Sequence, residues 1–191
     1  MTTAPTLTTH ARVVAAAAEL TLEVGWAGVT MGKLADRVGV SRQTVYNEVG
    51  SKPQLAEEMV LAELAKFLAV VDASFDEQPD DLVEAIRSAA RGVLELARGN
   101  ALLQAVVSAS YGAETELLPL LTSRNDALVL TATRAVKARV TTYDVAIDDR
   151  YLDAAIDMVV RLVLSHVVHP IGDPAATADD IAWISGRTLR P

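Results

Sequence analysis

The sequence predicts an all-α chain of about nine helices, with a helix-turn-helix segment at the N-terminal end followed by a longer helical domain. Three observations carry this expectation. Hydrophobic residues make up 51% of the sequence but aromatic residues only 4%, and the helix formers Ala and Leu are abundant. Apolar residues recur at three- and four-residue intervals along most of the chain. The stretch Thr30–Leu55, TMGKLADRVGVSRQTVYNEVGSKPQL, reads as two short helices around a tight turn and the start of a third. A chain of 191 residues can hold one or two domains around a real core.

In chain order, the first helix is expected at Thr9–Val24, where Val13, Val14, Ala17, Leu20 and Val24 fall at helical spacing and Gly25 stops the run. Trp26 is a core anchor in the following turn, and Val29 continues the apolar thread. Thr30 caps a short helix striped by Leu34, Ala35 and Val38, and Gly39 supplies the left-handed residue that ends it. Val40 folds into the corner, and Ser41 caps a second short helix, Arg42 to about Glu48, with Val45 pointing inward. Gly50 turns the chain; Ser51 and Gln54 form a capping box, and Pro53 sits in a first turn that needs no N–H from it.

That next helix is expected to reach about Ser74, with Leu55, Met59, Ala62, Leu64, Leu68 and Val71 inward, and the run DEQPDD at 76–81 breaks it. Further helices are predicted at Pro79–Ala97, Asn100–Ser110, Glu114–Leu121 (bent at Pro119), about Arg124–Val140 and Asp148–Val168. Asp173–Pro174, a cap followed by proline, starts a last helix that ends near Leu189. Residues 1–52 are assigned to the helix-turn-helix domain and 53–191 to the second domain.

The second short helix leaves Arg42, Gln43, Thr44, Tyr46 and Asn47 on its outer face, and such a helix can enter a DNA major groove. TxxKLADRVGVSRQTVYNEVGSKPQL closely resembles the N-terminal DNA-binding segment of the TetR-type transcriptional regulators, and the match covers roughly residues 9–60. In that pattern a small-residue turn precedes a recognition helix ending in Tyr, followed by an aromatic, a short loop and a Lys. Val49 stands where the family usually has Phe, and is read as a smaller contact in an apolar corner.

The resemblance implies a ligand-responsive DNA-binding transcriptional regulator, a repressor released from its operator by a small, largely apolar effector. One recognition helix covers only a few base pairs, so a homodimer on a palindromic double-stranded operator is expected, with residues 53–191 binding effector and dimerising. Gln43 and Thr44 are the candidates for base edges, Arg42 for a guanine or a phosphate, and Asn47 for either role. Tyr46 and Lys52 resemble the family's backbone-contacting tyrosine and phosphate-binding lysine, and Thr30 and Lys33 complete the DNA-binding set. The alternative is a helical small-molecule carrier or interaction module that does not bind DNA.

Composition bounds these expectations. Between Thr30 and Lys52 the four cations Lys33, Arg37, Arg42 and Lys52 face Asp36 and Glu48, a local balance of +2 that leaves −10 on the rest of a chain of net charge −8. Such an acidic body suppresses non-specific adhesion to nucleic acid while a small basic face still meets phosphates. The sequence ahead of Thr9 has no Lys or Arg, so no minor-groove arm is expected. Cysteine is absent, the first eight residues lack the pattern of a signal peptide, and the longest run without Asp, Glu, Lys or Arg, Gly99–Ala113, is short for a membrane span; a cytoplasmic protein is expected.

No nucleophile elbow, phosphate-cradling loop, carboxylate pair or dinucleotide fingerprint is present, so no enzyme activity, cofactor or metal is expected. The effector candidates are Gln104, Ser108 and Tyr111, a polar stripe on an apolar helix that small-residue crowding explains equally well, together with Arg161 and His166. Arg161 is spaced to pair with Asp157, and His166 and His169, three apart, are read as packed or solvent-edge histidines. The dimer seam is placed on the face of Ala155, Val159, Leu162, Val163, His166 and Val167, with Ile181, Ile184 and Leu189 as a second ridge.

Overall fold

The computed structural model describes residues 7–108 and 126–189, and every regular element among them is a helix. They are α1 (Thr9–Val24), α2 (Met31–Val38), α3 (Arg42–Val49), α4 (Lys52–Glu77), α5 (Leu82–Gly99), α6 (Ala101–Ser108), α7 (Asp126–Val140), α8 (Asp149–Val168) and α9 (Pro174–Leu189). The expected piece Glu114–Leu121 lies outside the described residues. Among the described residues no helix is long and apolar enough to cross a membrane.

The chain divides into two compact units: one runs to Glu63 and includes α6, while the other comprises Leu64–Asn100 and the chain from α7 onward. In the first unit, α1, α2 and α3 pack on one another around Val13, Ala17, Val29, Leu34 and Val45, and Leu55 and Met59 of α4 and Leu102 and Val106 of α6 join the same core. Trp26 is buried in it as an anchor, and Val49, in the place of the family's phenylalanine, is only 2% exposed. One expected core member is not there: Val24, in the last turn of α1, is 46% exposed, while Thr21 takes the inner position and satisfies its hydroxyl on the Ala17 carbonyl. On α4, Ala62 faces solvent and Ala56 and Val60 are buried in its place.

In the second unit α5 packs extensively against α9. Small residues permit this: Ala85, Ala89, Ala90 and Ala97 line the buried face of α5, and Ala178 and Ala182 that of α9. Arg87 reaches Asp179 at 2.9 Å, and Arg98 meets the Gly172 carbonyl, so the apolar seam has polar edges. α5 starts at Leu82 instead of the expected Pro79 because Asp81 caps it, accepting from the Glu84 N–H at 3.0 Å. α4 likewise outlasts the expected stop at Ser74 and continues to Glu77, where Arg139 of α7 pairs with Asp76 and the Tyr143 hydroxyl donates to the Gln78 carbonyl at 2.7 Å.

Of the α8 face expected to form the dimer seam, only Val167 is buried within the chain itself. Leu152, Ile156, Val160 and Val167 are buried, whereas Ala155, Val159, Val163 and His166 are half-buried and Leu162 is exposed. The helix is apolar on two sides, and helical periodicity alone does not say which one the chain itself covers. On α9, Ile181 and Leu189 are buried within the unit, so of the expected second ridge only Ile184 stays open, beside Trp183.

Candidate nucleic-acid interface

Each end of the helix-turn-helix is fixed by a hydrogen bond that the sequence specifies. Thr30 accepts the Lys33 N–H at 3.2 Å and starts α2. Gly39 ends it in the left-handed region (φ 76°, ψ 41°), and the N–H groups of Gly39 and Val40 both return to the Ala35 carbonyl. Ser41 then caps α3 by accepting the Thr44 N–H at 3.0 Å. Past α3, Gly50 again has positive φ (65°), and a Cβ there would run into the Gln54 side chain, whose Oε1 accepts the Ser51 N–H at 2.8 Å. Ser51 Oγ accepts from the Gln54 N–H in return, which completes the capping box.

Two buried valines orient α3. Val45 and Val49 are 0% and 2% exposed, so residues a half-turn away must face outward. Arg42, Gln43, Tyr46 and Asn47 are exposed, and Thr44 is half-buried, its hydroxyl 2.9 Å from that of Ser41. Gln43 Nε2 donates to Asn47 Oδ1 at 3.0 Å, which sets the two amides as one array on the outer surface. The Arg42 guanidinium folds against Gly32, close enough that a Cβ there would meet it at 2.9 Å.

The flanking lysines are preplaced by main-chain oxygens. Lys33 Nζ donates to the Gly28 carbonyl, and Lys52 Nζ donates to that of Trp26, each at 2.9 Å. Lys52 also lies 4.9 Å above the centre of the Trp26 ring. An ammonium has three donors, so each lysine keeps donors to offer a phosphate. Arg37, the fourth cation of the segment, is instead bound by Glu19 and Glu23 of α1. Its hydrogen bonds pull the Glu23 carboxyl below its ordinary pKa, and the same contact pushes Arg37 further up.

Two residues of this unit have no signature in the sequence. Arg12 Nη2 donates to the Val38 carbonyl at 2.5 Å and ties α1 to the end of α2. His10 stands between α3 and α4, with Nδ1 3.0 Å from the Glu48 main-chain oxygen and Nε2 3.2 Å from Glu58 Oε2. Both residues act across long sequence separations, which no local spacing reveals.

The effector candidates are divided between the units. Gln104 is exposed on α6 in the first, where Ser108 is the last residue of that helix, and Tyr111 lies outside the described residues. In the second unit Arg161 is paired with Asp157 at 2.8 Å, as its spacing predicts, and His166 is half-buried on α8.

Comparison with known proteins agrees with this architecture. Residues 13–59 match the family model of bacterial regulatory proteins of the tetR family, and residues 81–187 match that of the bacterial tetracyclin repressor C-terminal domain. The chain is 30% identical over 165 residues to the HTH-type transcriptional regulator AlkX of Mycobacterium tuberculosis, covering 86% of this chain and 77% of that protein. Its fold is similar to the crystal structure of a TetR family repressor, AlkX, from Dietzia sp. strain DQ12-45-1b (TM-score 0.77, 24% identity, 97% of each chain). It is also similar to the transcriptional repressor QsdR of R. erythropolis (TM-score 0.60, 16% identity, covering 97% of this chain and 96% of that one). With its helix-turn-helix and its helical C-terminal unit both matched, the chain belongs to the TetR family of DNA-binding transcriptional regulators.

Proposed function

We propose that the protein is a repressor that binds a palindromic operator as a homodimer and leaves it when a small, largely apolar effector binds its helical body. The observation that carries this is α3: two buried valines fix its roll, and Arg42, Gln43, Tyr46 and Asn47 are exposed between the preplaced Lys33 and Lys52. Gln43 and Thr44 are assigned to base edges, Arg42 and Asn47 to bases or backbone, and Thr30, Lys33, Tyr46 and Lys52 to phosphates. Family membership weighs against the alternative of a helical carrier that binds no DNA.

The dimer is assigned to α8 and α9. Tyr151, Ala155, Met158 and Leu162 follow the four-three-four spacing of a helix-packing stripe, and Met158 is 71% exposed. Trp183 and Ile184 are the exposed large apolar residues of α9. Gln104, Ser108 and Tyr111, and Arg161 and His166 in the second unit, are the first positions to substitute in a search for the effector. The Dietzia repressor is implicated in biodegradation of n-alkanes, which places n-alkanes among the first compounds to try.

Selection of duplexes from a random double-stranded library by the purified protein tests the reading. A single inverted-repeat motif, bound more weakly as salt rises, is expected. Recovery of unenriched sequence would remove the DNA-reading role.

A further inference from the structure

Gly32 is the second residue of α2, a position where glycine weakens the helix. Its φ is not positive, so alanine would fit the same backbone and lose less entropy on folding. The place of the missing side chain is taken by Arg42, the first residue of α3. A Cβ on Gly32 would lie 2.9, 3.0 and 3.1 Å from Arg42 Nη2, Nε and Cζ, against about 3.5–4.0 Å for an ordinary contact. The guanidinium therefore lies along the first turn of α2, in a seat that a side chain at position 32 would fill.

The seat adds nothing to the fold. Arg42 is exposed and forms no hydrogen bond or ion pair with any described residue, Asp36 one turn along α2 included. A cation beside the first turn of a helix opposes the helix dipole, and Lys33 brings like charge to the same turn. The other cations of the segment are tied down: Lys33 to the Gly28 carbonyl, Lys52 to that of Trp26, and Arg37 to Glu19 and Glu23. Of the four, Arg42 is the one whose donors are all open.

A fixed seat also selects the kind of contact. A phosphate can be met by a point charge from several directions, as lysine meets it. A guanine edge is met by two parallel hydrogen bonds to O6 and N7, which require the guanidinium plane in one place.

We infer that Gly32 is a specificity-determining residue: having no side chain, it fixes the Arg42 guanidinium against α2, where it reads a guanine of the operator. The inference rests on α3 being the DNA-reading helix. Gly32 is a positioning residue that acts through Arg42. Gln43 and Asn47, hydrogen-bonded to each other, form a separate reading element.

The test takes the full-length wild type, Gly32→Ala, Arg42→Ala and the double variant through selection from a random duplex library. Arg42→Ala is expected to lose preference for a guanine at one position of each half-site, by about five- to hundredfold. Gly32→Ala should relax the same position by about three- to tenfold and leave the others unchanged. The double variant should match Arg42→Ala, because with the guanidinium gone Gly32 has nothing to position. The denaturant midpoint of Gly32→Ala should equal or exceed that of wild type, which separates lost positioning from lost folding. A Gly32→Ala protein that keeps the wild-type motif overturns the inference, and so does one that relaxes a position Arg42→Ala leaves alone. It is equally overturned if Arg42→Ala weakens all sequences alike, which would make Arg42 a phosphate contact, or if the Gly32→Ala midpoint falls. Failure of the wild type to enrich any motif removes the DNA reading and this inference together; a wild-type motif that the variants leave unaltered sinks this inference alone.

Discussion

Arg37 meets Glu23 through two hydrogen bonds, at 2.6 and 3.0 Å, and Glu19 at 3.3 Å, so its charge is spent within the protein. Because Arg37 depresses the Glu23 pKa, the unfolded chain takes up this proton more readily than the folded one. The stabilisation is present at neutral pH and is lost as pH falls through the depressed value, below the ordinary carboxylate range. The difference in thermal midpoint between wild type and Glu23→Gln should therefore shrink on acidification, and a difference independent of pH would show that the contact adds nothing. On the outer face of α3, Gln43→Ala should relax preference at one base pair by about 1–3 kcal/mol in a repeated duplex selection. An unchanged motif would remove Gln43 from the base-reading set. Lys52→Ala should weaken all sequences alike and lower the slope of affinity against salt by about one unit, because a phosphate contact positions without specifying. A changed motif at constant affinity would contradict that role.

At the scale of elements, the two turns that bound α3 are the most demanding. Gly50→Ala places a Cβ at positive φ and against Gln54, so a loss of about 1–3 kcal/mol in denaturant unfolding is expected. A loss near zero would mean that the capping box shifts without strain. Both turns were legible in the sequence because their chemistry is local: Thr30, Gly39, Ser41, Gly50 and the Ser51–Gln54 pair each act within a few residues. The valines that fix the roll of α3 were legible for the same reason. What escaped depends on tertiary context. Asp81 outcompeted Pro79 as the start of α5 because its carboxylate reaches the Glu84 N–H. α8 has two apolar sides, and packing in the second unit selected the Leu152–Ile156–Val160 side. His10 and Arg12 find partners 38 and 26 residues away, beyond any spacing rule.

At the scale of the whole molecule, the side of α8 left open by that choice determines how the dimer is to be tested. Met158→Arg alters a residue that is 71% exposed, so the monomer should keep its fold while dimerisation and operator binding are lost together. Light scattering checks this, and a folded variant that remains dimeric would move the interface to other helices. Ile181→Arg is the contrasting change: Ile181 is 1% exposed, and its replacement should unfold the unit instead. A consequence of another kind follows from the length of α2 and α3. Each has eight residues, fewer than the roughly 12–15 an isolated helix needs to persist in water. Neither should persist apart from the core of Leu34, Val45 and Val49, so the amide protons of α3 are expected to exchange when the first unit opens as a whole. Operator occupancy in a cell is then a gauge of that unit's closed population, and a substitution at Val13 or Leu55 that meets no DNA would register as derepression.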